Sequence, residues 1–165
     1  ETATVATQAA LTGHLVLSTL HTNDAISAVT RLLNIGIEPY LVAAMLRGVL
    51  AQRLVRKICP HCKEQFKPDE AALATIHSAV ESVGDLMHGR GCARCRGSGY
   101  AGRLGIFELF VPGEAILEQI AASCTLQELR VLAQQVGHKT LRDDGMQKVA
   151  AGLSTIEEVI RVSAM

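Results

Sequence analysis

The chain is organised around two cysteine motifs, Cys59-Pro60-His61-Cys62 and Cys92-Ala93-Arg94-Cys95, which twenty-nine residues separate. A Cys-x-x-Cys turn presents two thiolates on one side, and two facing turns complete a tetrahedron with Zn–S distances of about 2.3 Å. The separation exceeds the roughly 15–20 residues of a common zinc ribbon, so we expect the intervening segment to have structure of its own. The motifs therefore predict a structural zinc ion with four sulfur ligands: Cys59, Cys62, Cys92 and Cys95.

Two disulfides would also use four cysteines. The fifth, Cys124, would then stay unpaired, and the amino terminus carries no secretory signal of the kind that accompanies disulfide-stabilised proteins. Redox chemistry at one Cys-x-x-Cys pair would not require a second pair. His61 and His88 are near enough in sequence to replace a sulfur ligand. Four cysteines already fill a tetrahedral site, so the metal is expected to hold structure and to bind no reactive water.

The composition is that of an ordinary folded chain. Apolar residues make up 48% of the 165 residues and charged residues 19%, which suits a packed core and argues against disorder. Sixteen basic residues balance sixteen acidic ones, so the overall charge gives no support for a polyanion-binding domain. No apolar run approaches the roughly 20 residues of a membrane-spanning helix. The chain does not begin with Met, and we expect a piece of a longer protein.

The amino-terminal third has the pattern of an α/β protein. Residues 1–12 predict a helix that ends at Gly13, and residues 14–21 are apolar on both faces, as in a strand buried in a parallel sheet. Thr22-Asn23-Asp24 is a helix-start signal, and a helix should follow over residues 25–33. The order helix, strand, turn, helix predicts an α/β layer.

Helices dominate the predictions for the rest of the chain. Pro39, at the helical position that tolerates proline, opens a helix predicted to run to about Arg56, and a short helix is expected within residues 69–83. Residues 103–111 predict a strand that includes Glu108 as a strand-edge side chain. The carboxyl-terminal helices are predicted at 114–123, 126–136 and 141–152 and from Thr155 onward, with capping boxes at Thr125–Glu128 and Ser154–Glu157.

The chain itself lacks a phosphate-binding loop, because such a loop ends in Gly-Lys and this dipeptide does not occur here. His14 and His21 invite a joint site, but seven residues along a strand separate them by roughly 23 Å and place them on opposite faces. His21 would lie where the strand ends, which is where open α/β sheets bind ligands. These residues leave open whether His21 binds a ligand or makes a structural hydrogen bond.

A basic cluster surrounds the second cysteine pair and consists of Arg90, Arg94, Arg96 and Arg103. Binding of single-stranded nucleic acid would also need aromatic stacking platforms, and the chain has two Tyr, three Phe and no Trp. A solvated face or a contact between subunits fits this cluster better. Cys124 is interpreted as a small apolar residue at a helix end.

Residues 12–25 (TGHLVLSTLHTNDA) resemble the histidine box of the secretion ATPases, in the branch that serves type II secretion and type IV pilus assembly. The paired cysteines are similar to the tetracysteine insertion of the assembly and secretion enzymes, which pilus retraction motors lack. The resemblance covers essentially the whole chain. Further motifs fit the family in order: 36–39 (GIEP), 50–54 (LAQRL), 102–108 (GRLGIFE) and 141–145 (LRDDG).

The resemblance implies a hexameric, RecA-like ATPase that lies in the cytoplasm, peripheral to the inner membrane, and uses ATP and Mg2+. Its partners would be inner-membrane platform proteins of the secretion or pilus machine. The family's phosphate loop and magnesium-holding strand would lie upstream of Glu1, so the chain alone is expected to be inactive. The implied division is 1–57 for the last part of the RecA-like domain, 58–102 for the zinc-binding subdomain, and 103–165 for a strand and a helical carboxyl-terminal subdomain.

By the same resemblance, His21 becomes a candidate catalytic residue that senses the γ-phosphate or the subunit interface. Arg31 and Arg103 become candidate nucleotide-binding residues, because an arginine stabilises phosphate charge in its own or a neighbouring subunit. His14 matches the box without a clear role. Two other functions stay open, a nucleic-acid-binding zinc module and a protein-binding module, since residues 92–99 also resemble one repeat of the cysteine-rich region of a DnaJ-type co-chaperone.

Overall fold

The computed structural model describes residues 2–67 and 86–163, so the helix predicted within residues 69–83 lies outside the described residues. The chain is α/β, as predicted. Among the described residues, no helix combines the length and apolar character that crossing a membrane requires. The elements are α1 (Thr2–Leu11), α2 (Ser27–Asn34), α3 (Pro39–Met45), β1 (Val49–Ile58), β2 (Lys63–Phe66), β3 (Leu86–Gly89), a 3-10 turn (Ala93–Cys95), β4 (Tyr100–Phe110), α4 (Glu114–Ala121), α5 (Leu126–Gln135), α6 (Leu141–Ala150) and α7 (Ile156–Ser163).

The chain divides into two compact units, each built from two separate stretches. The first consists of Glu1–Ala51 and Leu109–His138, and the second of Gln52–Glu108 and Lys139–Met165. In the first unit, α3 packs against α1, α2 and α4, and α4 packs against α5. Its core is aliphatic and draws on α2 to α5: Ala28, Val29, Val42, Ile116, Ile120, Leu129 and Ala133.

The strand predicted at residues 14–21 is wrong. These residues have no regular secondary structure, and the side chains of Leu15 and Leu17 are 81% and 86% exposed. A strand needs a neighbour that satisfies its backbone N–H and C=O groups. Within the described ranges, the ladders join β1 with β4 and β2 with β3, and neither includes this segment. The apolar pattern predicted burial, but burial of a strand depends on a partner that the local sequence does not supply.

The helix predicted over residues 39–56 is wrong in its second half. α3 ends at Met45, Leu46 has extended backbone (φ −69°, ψ 120°), and β1 follows. In β1, Ala51 and Val55 are buried while their immediate neighbours are exposed, which is the two-residue alternation of a strand. The apolar residues of this stretch suited both periodicities, and pairing with β4 decides between them.

The remaining helices confirm the predictions closely. α1 ends just before Gly13, which has φ +95°, and α2 begins two residues later than predicted. The capping box at the start of α5 is present: Thr125 N donates to Glu128 Oε2 at 2.7 Å, and Glu128 N donates to Thr125 Oγ1 at 3.2 Å. Local sequence was sufficient here because each cap lies within four residues of its partner.

In the second unit, β2 and β3 form an antiparallel pair in which Lys63 lies opposite Gly89 and Phe66 opposite Leu86. α6 packs against β3 and α7. The two helices approach closely at Gly145, where an added Cβ would lie 2.5 Å from Val159 Cγ1. α6 therefore connects the pair of strands β2 and β3 with α7.

Two polar predictions are revised by this packing. Glu108 lies in β4, as predicted, but it is buried, and its Oε2 accepts a hydrogen bond from Leu141 N at the start of α6 at 3.1 Å. The capping box at Ser154 and Glu157 is wrong, because the Ser154 hydroxyl instead donates to Arg56 O at 2.8 Å. Both side chains satisfy backbone groups far away in sequence, which the local pattern could not show.

Glu158, on α7, is the centre of a buried ion-pair network. Its side chain is 2% exposed and accepts hydrogen bonds from Arg56 N at 3.0 Å, Arg56 Nη2 at 2.6 Å and the Arg161 guanidinium at 2.9 and 3.0 Å. The Arg56 guanidinium also lies 4.1 Å from the centre of the Tyr100 ring. Burial would raise the pKa of Glu158, but the hydrogen bonds from Arg161 and Arg56 outweigh it and lower the pKa to about 2.

Replacement of Glu158 by Gln is expected to lower the free energy of unfolding by about 2 kcal/mol, because a buried acceptor of two guanidinium groups loses its charge. Since the folded pKa lies below the ordinary value of 4.5, the stabilisation is present above pH 4.5 and is lost as pH falls toward 2. Urea unfolding at several pH values measures this. Glu157→Gln, at the exposed neighbouring position, is the control, and equal effects of both changes would contradict the prediction.

Candidate functional site

Each cysteine motif forms a tight turn. Cys62 N donates to Cys59 O at 3.3 Å, and Cys95 N donates to Cys92 O at 3.2 Å. The second turn continues through Arg96, which has a left-handed backbone (φ +53°), so that Gly97 N also donates to Cys92 O at 2.9 Å. In both turns the backbone bends back on itself and places the two sulfur atoms on the same side.

Glycines draw together the two flanks of the second cysteine turn, since Gly89 and Gly91 precede this turn and Gly97 and Gly99 follow it. A Cβ on Gly99 would lie 2.3 Å from Gly89 O, and one on Gly91 would lie 2.7 Å from Gly97 O, so the backbone segments approach more closely than side chains would allow. Across this approach, Cys59 N donates to Gly99 O at 2.9 Å. The first cysteine turn is thereby joined directly to the segment that follows the second.

The four cysteines predicted as metal ligands converge on one point. Their sulfur atoms all lie within 4.8 Å of one another, with 4.0 Å between Cys59 and Cys92, 3.8 Å between Cys62 and Cys95, and 3.7 Å between Cys92 and Cys95. A tetrahedron with metal–sulfur distances of about 2.3 Å has edges of about 3.8 Å. A disulfide would need about 2.05 Å. The distances therefore fit four thiolates around one metal ion and do not fit two disulfides.

The surroundings of the sulfurs also suit a metal ion. Cys95 Sγ accepts hydrogen bonds from Cys92 N at 3.1 Å and from Gly99 N at 3.3 Å, which lower the pKa of Cys95 to about 6. Burial raises the pKa of Cys62 to about 12. A metal ion bound to Cys62 would compensate the charge of its thiolate and so offset the effect of burial.

The two histidines near the motifs are not part of the cluster. His61 is exposed, and Arg94 Nη1 lies 3.0 Å from its Nε2. His88 Nε2 lies 3.3 Å from Glu64 Oε1. The structure therefore gives neither histidine a role as substitute ligand, and Cys124 is also absent from the four-sulfur group.

The other predicted site residues are exposed. His21 lies at the end of the irregular segment before α2, and Arg31 lies in the last turn of α2. His14 Nδ1 is 3.2 Å from Thr12 Oγ1. Arg103 lies on β4 in the second unit. The structure thus gathers the four cysteines, while the roles of His21, Arg31 and Arg103 stay predictions.

One interaction near His21 was missed by the sequence analysis. Arg130, on α5, donates to Asp24 Oδ2 at 2.6 Å, and Asp24 Oδ1 accepts a hydrogen bond from Ser27 N at 2.6 Å. The helix-start signal at Asp24 was recognised. Nothing in the local sequence pointed to its partner, which lies 106 residues further along the chain.

The similarity of this chain to known proteins extends over all four cysteines and the segments on both sides of them. The family model described as "Type II/IV secretion system protein" matches residues 1–161. The chain is 49% identical to the type IV pilus assembly ATPase PilB of Thermus thermophilus over 97% of the chain and 18% of that protein. It is also 49% identical to the type II secretion system protein E of Pseudomonas aeruginosa over 99% of the chain and 32% of that protein.

A solved structure shares the fold. The pilus retraction motor PilT, crystallised with bound ADP, superimposes with a TM-score of 0.65 and 25% sequence identity, over 99% of the chain and 36% of PilT. The chain spans about a fifth to a third of the length of the two curated relatives. Matches that run through the cysteine motifs and both flanks do not favour a DnaJ-type module. The chain therefore belongs to the type II/IV secretion system protein family.

Proposed function

We propose that this chain is the carboxyl-terminal part of a motor ATPase whose ATP hydrolysis powers type II protein secretion or type IV pilus assembly. The main support for the proposal is that relatives named as ATPases of both machines match nearly the whole chain. The identity is 49% for PilB and 45% for the type II secretion system ATPase E of Vibrio cholerae. The complete protein would be a cytoplasmic homohexamer, peripheral to the inner membrane, that uses Mg2+ and ATP. Its partners would be inner-membrane platform proteins.

The three proposed parts of this chain follow one another along the sequence. Residues 1–57 would complete the RecA-like domain, residues 58–102 would form the zinc-binding subdomain, and residues 103–165 would add a strand and a helical subdomain. The phosphate loop would come from residues outside this chain, which contains no Gly-Lys dipeptide. We therefore propose that the chain alone does not hydrolyse ATP.

We propose Zn2+ as the ion of the tetracysteine cluster, because four sulfur ligands in tetrahedral array are its preferred structural site. A bound zinc ion would supply cross-linking and charge compensation, with no coordination position left for a reactive water. Cys59 and Cys62 would bind it from one turn and Cys92 and Cys95 from the other. The backbone N–H groups of Cys92 and Gly99 would stabilise the Cys95 thiolate.

Three exposed side chains would serve the nucleotide. His21 would donate a hydrogen bond from its imidazole ring to the γ-phosphate or sense the subunit interface. The guanidinium groups of Arg31 and Arg103 would offset phosphate charge in the same or a neighbouring subunit. Solvent exposure of all three is compatible with contacts made across an interface between subunits.

ATP hydrolysis by the full-length protein that contains this chain tests the function. We expect Mg2+-dependent turnover that is absent from the chain alone, measured as phosphate release. A full-length protein without nucleotide hydrolysis would contradict the proposed function. Turnover by the isolated chain would contradict the proposal that the chemistry needs upstream residues.

His21→Ala in the full-length protein should lower kcat about 100-fold, because loss of a preorganised donor to developing charge typically has this effect. Its melting temperature should stay close to that of the unchanged protein, since His21 is exposed. Steady-state ATPase kinetics and thermal melting measure the two effects. His14→Ala, in the same irregular segment, is the comparison variant, and normal turnover of His21→Ala would remove His21 from the mechanism.

A further inference from the structure

Arg130 and Asp24 connect two helices of the first unit. Arg130 Nη2, on α5, lies 2.6 Å from Asp24 Oδ2 and 3.4 Å from Ser27 Oγ, at the start of α2. The other carboxylate oxygen of Asp24 accepts the hydrogen bond from Ser27 N at 2.6 Å. One carboxylate therefore accepts a hydrogen bond from the first backbone N–H of α2 and at the same time binds an arginine from a distant helix.

Further contacts hold the Asp24 end of this connection. The Asp24 side chain is 25% exposed, and Thr22 Oγ1 donates to Asp24 O at 3.0 Å, so the backbone on the His21 side is held as well. Burial raises the pKa of Asp24, but hydrogen bonds from Ser27 and Arg130 outweigh it, and the net shift is downward. The interaction is thus a hydrogen bond between two charged groups at neutral pH, which is stronger than one between neutral groups.

We infer that Arg130 is a positioning residue that holds the segment from His21 to Arg31 in its working orientation. The inference rests on the proposed function, which gives these two side chains their roles. His21 precedes Asp24 by three residues, and Arg31 follows Ser27 by one helical turn, so a fixed Asp24 orients both. α5 packs against α4, and α4 against α3, so Arg130 connects these packed helices to the residues just before α2.

The test uses the full-length ATPase with Arg130→Gln, Arg130→Lys and Gln134→Ala. Gln134 is an exposed residue one turn further along the same face of α5, and it serves as the control. Arg130→Gln should lower kcat about tenfold, with KM for ATP changed less than about twofold, because misplacement of positioned groups slows chemistry more than binding. Arg130→Lys should recover part of the loss, since it keeps the charge, and Gln134→Ala should behave as the unchanged enzyme.

Hydrogen exchange gives a readout that does not depend on activity. In Arg130→Gln, amides of residues 20–31 should exchange about two- to fivefold faster, the effect expected from loss of a partly exposed ion pair. Asp24→Asn retains an acceptor for Ser27 N, because Asn and Asp serve equally well as acceptors at helix starts, but it weakens the bond to Arg130. In the Asp24→Asn background, Arg130→Gln should therefore add little.

The outcomes separate the two proposals. Normal kcat in Arg130→Gln, or full additivity of the two substitutions, overturns the positioning role. Absence of ATP hydrolysis in the unchanged full-length protein contradicts the proposed function instead. In that case the exchange of residues 20–31 still decides whether Arg130 holds this segment, and unchanged exchange in Arg130→Gln overturns the inference.

Discussion

Removal of the proposed zinc ion from the tetracysteine cluster should unfold residues 57–67 and 86–103 while the helices of the first unit persist. Structural zinc sites contribute about 10–16 kcal/mol of binding energy that is coupled to folding. Without the ion, four thiols within 4.8 Å of one another would have to share a partly buried site, and the two cysteine turns would lose the ion that joins them. Hydrogen exchange after treatment with a chelator, together with far-UV circular dichroism, measures the loss of β2 and β3 and the retention of helix.

Substitutions give the same test without a chelator. Cys62→Ser should reduce the metal content well below one ion per chain, whereas Cys124→Ser should retain it, because Cys124 is outside the cluster. Elemental analysis and X-ray absorption, which would show four sulfur neighbours at about 2.3 Å, measure this. Purified protein without metal, or a melting temperature that does not change with chelator, would contradict the zinc proposal.

Gly99→Ala should have the second largest effect, with a loss of more than about 4 kcal/mol in the free energy of unfolding, the range that marks severe changes. Its Cβ would lie 2.3 Å from Gly89 O, a backbone atom that cannot rotate away, and its φ of +75° adds strain for a side chain. Movement of this backbone would also break the bonds from Cys59 N to Gly99 O and from Gly99 N to Cys95 Sγ. The free energy of unfolding, measured with denaturant, and the metal content of the protein should therefore fall together.

Gly97→Ala is a matched control for this change. Gly97 has almost the same φ, +76°, but an added Cβ would meet no atom within 4 Å. Only the backbone strain of about 1–2 kcal/mol should then appear. The difference between the two variants isolates the close approach of Gly99 to Gly89. Equal losses in the free energy of unfolding would show that the close contact between Gly99 and Gly89 does not affect stability.

Features that depend on a few neighbouring residues were predictable. The helices from residue 114 onward were found within about two residues of their true ends, because caps such as Thr125 with Glu128 act over three positions. The four cysteines that cluster were also found, since each Cys-x-x-Cys turn places two sulfur atoms close together through its own spacing. The turn itself places two sulfurs, and only the meeting of the two turns needs the fold.

Features that depend on distant partners were not predictable. β1 looked helical because its apolar residues suited both periods, and the paired strand β4 begins more than forty residues later. Residues 14–21 looked like a buried strand, but no described strand pairs with them. The Glu158 network and the bond between Arg130 and Asp24 join groups 102 and 106 residues apart.

The amino-acid sequence by itself determined the four cysteines of the cluster and the helix caps, because their spacing is read within short motifs, and it determined the membership of the family through motifs along the whole chain. Tertiary structure decided which apolar stretch became a strand, how closely Gly89 and Gly99 approach, and which charges meet at Glu158 and Asp24. The physical reason is that backbone ladders and buried ion pairs are satisfied by atoms from elsewhere in the chain. The local conformational preference of a segment contributes less free energy than the cost of leaving such groups unpaired.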